Sequence, residues 1–209
     1  MPEAGVSAIV TLDAFSVDDW HALWNASKSG DIPSADQATV LGYLPSRMGL
    51  QANTLTAEGR TLHQVVAGGS REGLSWRANV DARELSGQVA FRPSGGDQPG
   101  LLYARLARLN LPPSTAADVE SLLDTAPSNL PALDIVIEQL ELRDKKLGRV
   151  EIEAVNSELQ KTPGKASREW QLNKFNILLP EGALHSTGRW LTASQGSSLR
   201  KTEMNFRMS

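Results

Sequence analysis

The sequence predicts a mainly β fold: an antiparallel meander of about ten strands, forming a curled or sandwich-like sheet, with two short amphipathic helices. Two observations carry this. Within Asn129–Asn156, apolar residues fall at every second position: Leu133, Ile135 and Ile137, then Val150, Ile152 and Ala154 alternating with Glu151 and Glu153. That period gives a strand one apolar and one charged face. Similar stretches recur between short Gly, Pro, Asp and Ser clusters, whereas helical spacing occurs only twice.

In chain order, Val6–Phe15 alternates as a strand, with Val6, Ala8, Val10 and Leu12 on one side. Ser16-Val17-Asp18-Asp19 is a capping box with Asp in the Glu position. Trp20, Leu23 and Trp24 follow at i, i+3 and i+4, the stripe of a helix packed on a sheet, which Gly30 and Pro33 end. A short strand is expected around Met48–Thr54, a turn at Ala57-Glu58-Gly59-Arg60, a strand at Leu62–Gly68 and a glycine-rich loop at Gly68–Gly73. Leu74, Trp76, Ala78 and Val80 then alternate with Ser75, Arg77, Asn79 and Asp81. Leu85–Phe91 is the next strand, and the Ser94–Gly100 loop leads to Leu101–Leu111, which Pro112-Pro113 stops.

Thr115–Asp118 is a second capping box, with Val119, Leu122 and Leu123 as its stripe, and Pro127 and Pro131 bracket an extended linker. In the strand from Leu133, the alternation resumes out of phase at Leu140 and Leu142, so Glu138–Gln139 reads as a bulge. Asp144–Lys145–Lys146 is a polar turn, and Ser157–Ser167 a polar loop. Strands at Trp170–Leu179 and Ala183–Trp190 flank the turn Pro180-Glu181-Gly182. In the last strand Met204, Phe206 and Met208 alternate with Glu203, Asn205 and Arg207. The chain thus reads as a single β-rich segment with two repeat-like halves, about 1–112 and 130–209, joined by a helix and linker at 113–129. Each half runs from a charged loop into a Trp-bearing strand, SREGLSW in one and ASREW in the other.

Composition narrows the function classes. Hydrophobic content of 40% with 22% charged residues is a globular balance. A net charge of −3 and few aromatics exclude a basic, base-stacking surface, so no nucleic acid is expected. With no cysteine there is no disulfide, thiolate metal site or Cys nucleophile. No stretch reaches the length of a membrane span, and residues 1–12 lack the basic and apolar regions of a signal peptide. His21, His63 and His185 have no partner at ligand spacing, and Gly68–Gly73 matches neither a nucleotide loop nor a nucleophile elbow. The acidic residues alternate with apolar ones on solvated faces. No catalytic residue, metal ligand or cofactor is therefore expected.

A sheet apolar on one face must cover it. Two short helices cannot cover about ten strands, so the sheet folds into a sandwich, closes as a barrel, or stays an open trough holding something apolar. The residues by themselves favour the sandwich.

LPALDIVIEQLELRDKKLGRVEIEAVN followed by REWQLNKFNILLPEGALHSTGRW resembles the YhdP branch of the AsmA-like envelope proteins of Gram-negative bacteria. Carrying residues are Leu133-Asp134, Leu147-Gly148-Arg149, Glu153-Ala154-Val155-Asn156, Arg168-Glu169-Trp170 and Gly188-Arg189-Trp190, with Ser75-Trp76 and Tyr103-Ala104-Arg105-Leu106 earlier in the chain. The resemblance covers roughly two-thirds of the chain. It implies part of a periplasmic protein, anchored in the inner membrane through a segment outside this one. There, long curled β-sheets with an apolar groove would conduct phospholipid toward the outer membrane without catalysis. The implied partners are phospholipid acyl chains and the remaining segments of the same chain. Trp76, Ala78, Val80, Ile135, Ile137, Val150, Ile152, Phe206 and Met208 are the expected groove residues, on the concave side of one curled sheet, with Arg77, Asn79, Glu151, Glu153 and Arg207 facing out. The alternative is a non-catalytic scaffold module whose strand edges pair with partners.

Overall fold

The computed structural model describes residues 7–19, 46–57, 59–95, 99–111, 131–162, 165–179, 181–192 and 200–209. They form eleven strands: β1 (Ser7–Ser16), β2 (Arg47–Ala57), β3 (Arg60–Glu72), β4 (Ser75–Asp81), β5 (Leu85–Arg92), β6 (Leu101–Leu111), β7 (Ala132–Leu142), β8 (Lys145–Thr162), β9 (Lys165–Leu179), β10 (Gly182–Thr192) and β11 (Arg200–Met208). Their order in the sheet is their order in the chain. Two compact units divide within β5, Met1–Gln88 and Val89–Ser209.

The fold is mainly β as expected, but the sheet is mixed rather than an antiparallel meander. β1 pairs with β2 in parallel, and so does β6 with β7. The chain between each of these pairs runs over 17–46 and 112–131, long enough for the crossover that parallel neighbours require. Between the two parallel joins lie the five strands β2–β6, and after the second come five more, β7–β11.

Among the described residues helix is confined to Val17–Asp19, so the two amphipathic helices are not part of the described fold. Ser16 does cap that turn, its Oγ accepting from the Asp19 amide at 3.1 Å. The stripe Trp20/Leu23/Trp24 and the helix from Thr115 lie outside the described residues.

Three other expectations shift. Most of the glycine-rich loop is strand: Gly68 and Gly69 pair with Asn79 and Ala78, and only Gly73, with φ 59°, is in the turn to β4. A Cβ at Gly69 would come within 2.8 Å of the Arg77 carbonyl, so glycine permits that close pairing. The polar loop 157–167 is largely hairpin, pairing on to Thr162↔Lys165, because ladder bonds are made by backbone whatever the side-chain polarity. The turn placed at Asp144–Lys146 is Arg143–Asp144, with φ of 52° and 61°. Two successive positive φ values are those of a type I′ hairpin turn, whose twist suits the flanking strands.

In the first unit, register places Leu50 beside Ala67 and Ala52 beside Val65. It also sets Val10 and Leu12 beside Leu50 and Ala52. Ala52 and Val65 are the buried centre of this patch. β3 extends beyond β4, and the β4–β5 turn folds over the surplus. Ala82 N donates to Leu85 O at 2.7 Å and Arg83 N to His63 O at 2.9 Å. The Glu84 carboxylate accepts from the His63 amide at 2.8 Å and lies 2.7 Å from His63 Nδ1. Burial alone would raise the pKa of Glu84, but the hydrogen bonds from the backbone and ring of His63 outweigh it and hold the carboxyl below the usual glutamate value.

In the second unit, Ile137↔Val150 is followed by Leu140↔Gly148, so the bulge expected at Glu138–Gln139 is present. Gly148 absorbs the irregularity with φ 72°, and a Cβ there would overlap the Leu178 carbonyl oxygen. Gly148→Ala is therefore expected to cost about 1–3 kcal/mol in urea unfolding. Gly68→Ala, with nothing within 4 Å of the added carbon, should cost nothing. Equal losses from the two changes would remove the steric account.

The lowered Glu84 pKa sets a second expectation. A carboxyl depressed in the folded state stabilises it fully above the unfolded glutamate value, and that contribution disappears as pH falls through the folded value. The stability difference between the parent protein and Glu84→Gln should be constant near neutrality and shrink below about pH 4–5. A difference unchanged down to pH 3 would show that the carboxylate does not hold the turn.

Candidate functional site

Register decides which side chains share a face, because directly paired residues point the same way. In the second unit Leu133, Ile135 and Ile137 of β7 lie opposite Ala154, Ile152 and Val150 of β8. Across β8–β9, Val150, Ile152 and Ala154 lie opposite Ile177, Phe175 and Leu172. On β10 those three meet Leu184, Ser186 and Gly188, which meet Met208, Phe206 and Met204 of β11. On the β6 side, Leu102, Ala104 and Leu106 pair with Leu133, Ile135 and Ile137. Along these three rows, from β6 to β11, every paired position is apolar except Ser186, with Gly188 bare backbone, and one pair further along Asn156 lies opposite Trp170.

The opposite face carries the charge. Arg149 contacts Glu151 at 2.8 Å and Glu138 at 3.5 Å, and Lys174 reaches Glu151 at 3.6 Å. Arg189 lies 3.4 Å from Glu169 and 3.8 Å from Glu203. Arg105 bonds Asp134 at 2.8 Å while stacked 4.2 Å over the Tyr103 ring. A depression of about 500 Å³ on this side is lined by Arg105, Asp134, Glu151, Glu153 and Lys174, over Val136 and Val155.

The apolar face is buried in its middle and exposed at β11. Ala154, Trp170 and Leu172 form a buried cluster with Leu133, Ile152, Phe175 and Trp190 packed on it. The Trp170 and Trp190 rings meet edge to face at 5.0 Å. Trp170 Nε1 donates to the Pro131 carbonyl at 3.1 Å, so the indole brings no unmet donor into the cluster. Gly188 leaves room for the second indole: a Cβ there would come within 2.8 Å of Trp190. By contrast Phe206 is 64% exposed and Met208 83%.

The expected groove residues fall as follows. Ile137 and Val150 are buried, and Ile135 and Ile152 half-buried, as two directly opposed pairs on the apolar face. Phe206 and Met208 are on the same face at its exposed end. Trp76, Ala78 and Val80 belong to the first unit, all half-buried, with Arg77, Asn79 and Asp81 exposed between them. There Ala78 and Val80 pair with Gly69 and Ala67, and Trp76 with Arg71, whose guanidinium sits 5.9 Å over the indole. Sequence reasoning omitted Trp170, Leu172, Phe175 and Trp190 from this set. Trp170, Leu172, Phe175 and Ile177 are spaced two, three and two apart because Asn173 is an extra residue in the β8–β9 ladder. The uneven spacing hides their common face.

Among the described residues, no group of three or more His, Asp or Glu could hold a metal ion. What the arrangement offers is a wide apolar surface backed by a charged one, as in proteins that shelter hydrocarbon or join their sheets to other sheets. The family model described as YhdP protein matches residues 1–209. The chain belongs to the YhdP family, a branch of the AsmA-like proteins. No curated protein matches it, and no solved structure does.

Truncating the centre of the buried cluster tests its weight. Trp170→Ala should lower stability by about 3–5 kcal/mol. Trp170→Phe, which keeps most of the packing and loses the bond to Pro131, should lower it by about 1 kcal/mol. Equal chemical-denaturation midpoints for the parent and Trp170→Ala would remove the cluster from the core.

Proposed function

We propose that this chain provides part of an apolar β-sheet surface that carries phospholipid acyl chains between the inner and outer membranes, without catalysis. In this reading it works in the periplasm and is tethered to the inner membrane through a region outside this chain. The observation that supports it is the separation of faces: across β7–β9 the paired positions Ile135/Ile152/Phe175 and Ile137/Val150/Ile177 are apolar, and the ion pairs of these strands fall on the opposite face. Membership of the YhdP family agrees with an envelope role. Exposing an acyl chain to water costs about 0.8 kcal/mol per CH₂, so an apolar path removes a barrier that head-group contacts cannot. In this reading any net direction comes from outside this chain.

The test is Ile152→Asp in the full-length protein, with bound lipid measured by mass spectrometry of organic extracts. A surface that holds acyl chains should tolerate the carboxylate as a folded protein yet lose its lipid. If Ile152→Asp unfolds the domain, position 152 belongs to a closed core and the non-catalytic scaffold becomes the better reading. A folded variant carrying normal lipid would exclude this face from the path.

A further inference from the structure

Within the three apolar rows that cross the second unit, one polar side chain stands between apolar neighbours. Ser186 is 3% exposed, and among the described residues its Oγ has no hydrogen-bond partner. The other buried donor of this face, Trp170 Nε1, is bonded to Pro131. On the far side of the same strand, His185 Nδ1 lies 2.8 Å from Asn176 Oδ1. Ser186 is thus an orphan in a neighbourhood whose polar groups are otherwise matched. Buried hydroxyls without partners are destabilising, and each needs a reason. Small size is not one, since alanine would occupy the same place between Phe175 and Phe206 without the penalty.

The surroundings say what would match it. Ser186 pairs with Phe175 on β9 and Phe206 on β11. Along the same face run Ile177, Leu184, Met204 and Met208, none of them ionisable. A phosphate or carboxylate there would find no cation, and an ammonium no anion. A neutral acceptor attached to hydrocarbon fits both the hydroxyl and its apolar walls. Phe206 is 64% exposed, so turning its ring to admit a chain displaces little packing.

We propose that the Ser186 hydroxyl donates a hydrogen bond to an ester carbonyl of a glycerolipid whose acyl chain lies on the β9–β11 face. This rests on the acyl-chain reading above and adds to it the part of the lipid that is recognised. The contact would place the ester at Ser186 and run the chain along the apolar row.

The experiment compares ester-linked with ether-linked lipid, which lacks the carbonyl. Full-length protein is incubated with vesicles holding equal amounts of diacyl and dialkyl phosphatidylglycerol, reisolated, and its bound lipids quantified by mass spectrometry. The parent protein should retain the ester form in excess by roughly five-fold, the worth of one neutral hydrogen bond. Ser186→Ala should bind the two forms equally with total lipid unchanged, and Ser186→Thr, which keeps the hydroxyl, should restore the preference. Equal retention by the parent protein overturns the Ser186 contact while leaving the acyl-chain reading intact, as does a preference that survives in Ser186→Ala. Retention of neither lipid overturns both.

Discussion

Everything in this structure depends on keeping register. A strand's side chains alternate with a period of two, so a slip of one residue would move a whole row from the apolar face to the charged one. The second unit crosses several points where that could happen. Glu138–Gln139 adds a residue to β7. Asn173 adds one to β9, and the β9–β10 register shifts opposite it between Ser186 and Gly188. After each irregularity the apolar positions return to the same side: Leu172 comes back opposite Ala154 and Gly188, as Phe175 is opposite Ile152 and Ser186. The bulges are therefore part of the face, not defects in it.

Charge on the opposite side does a different job. Its more exposed pairs, such as Arg189 with Glu203 at 3.8 Å, contribute little stability. Their effect is on specificity. Arg149, Glu151, Lys174 and Glu169 would all need burial without partners if a strand flipped, which is far more costly than the pairs are stabilising. Apolar rows pull each strand into one orientation, and the charged rows exclude the other.

Strand positions were legible because that two-fold period is strong. Leu101–Leu111 coincides with β6, and the Glu138–Gln139 bulge showed because Leu140 and Leu142 resume the pattern out of phase. Pairing direction was read as antiparallel throughout, which misses the parallel pairs β1–β2 and β6–β7 although their signal was present. In the sequence, long stretches with helical spacing at Ser16–Trp24 and Thr115–Leu123 separate the strand patterns, and a long insertion between neighbouring strands is how a chain makes them parallel. The glycines at 68 and 69 misled for a physical reason: glycine marks turns, but it also marks strands whose backbones approach closely. Ser186 could not be found from sequence at all. Its isolation is a property of the register that sets it between Phe175 and Phe206, and a serine in HSTGRW looks like any other exposed polar residue.

The gradient across the apolar face bears on how one surface can be both folded and receptive. Around Ala154, Trp170 and Leu172 the side chains bury one another, so that patch gains hydrophobic stabilisation from the chain itself, while Ile152 and Phe175 at its border are only half-buried. At β11 the same face ends in Met204, Phe206 and Met208, all exposed. Methionine is unbranched and conforms to irregular hydrocarbon more readily than Val or Ile. A packed centre beside an exposed margin separates the two demands. Mutations at Trp170 act on folding, whereas those at Phe206 and Met208 leave the centre untouched and act on whatever apolar partner covers the margin.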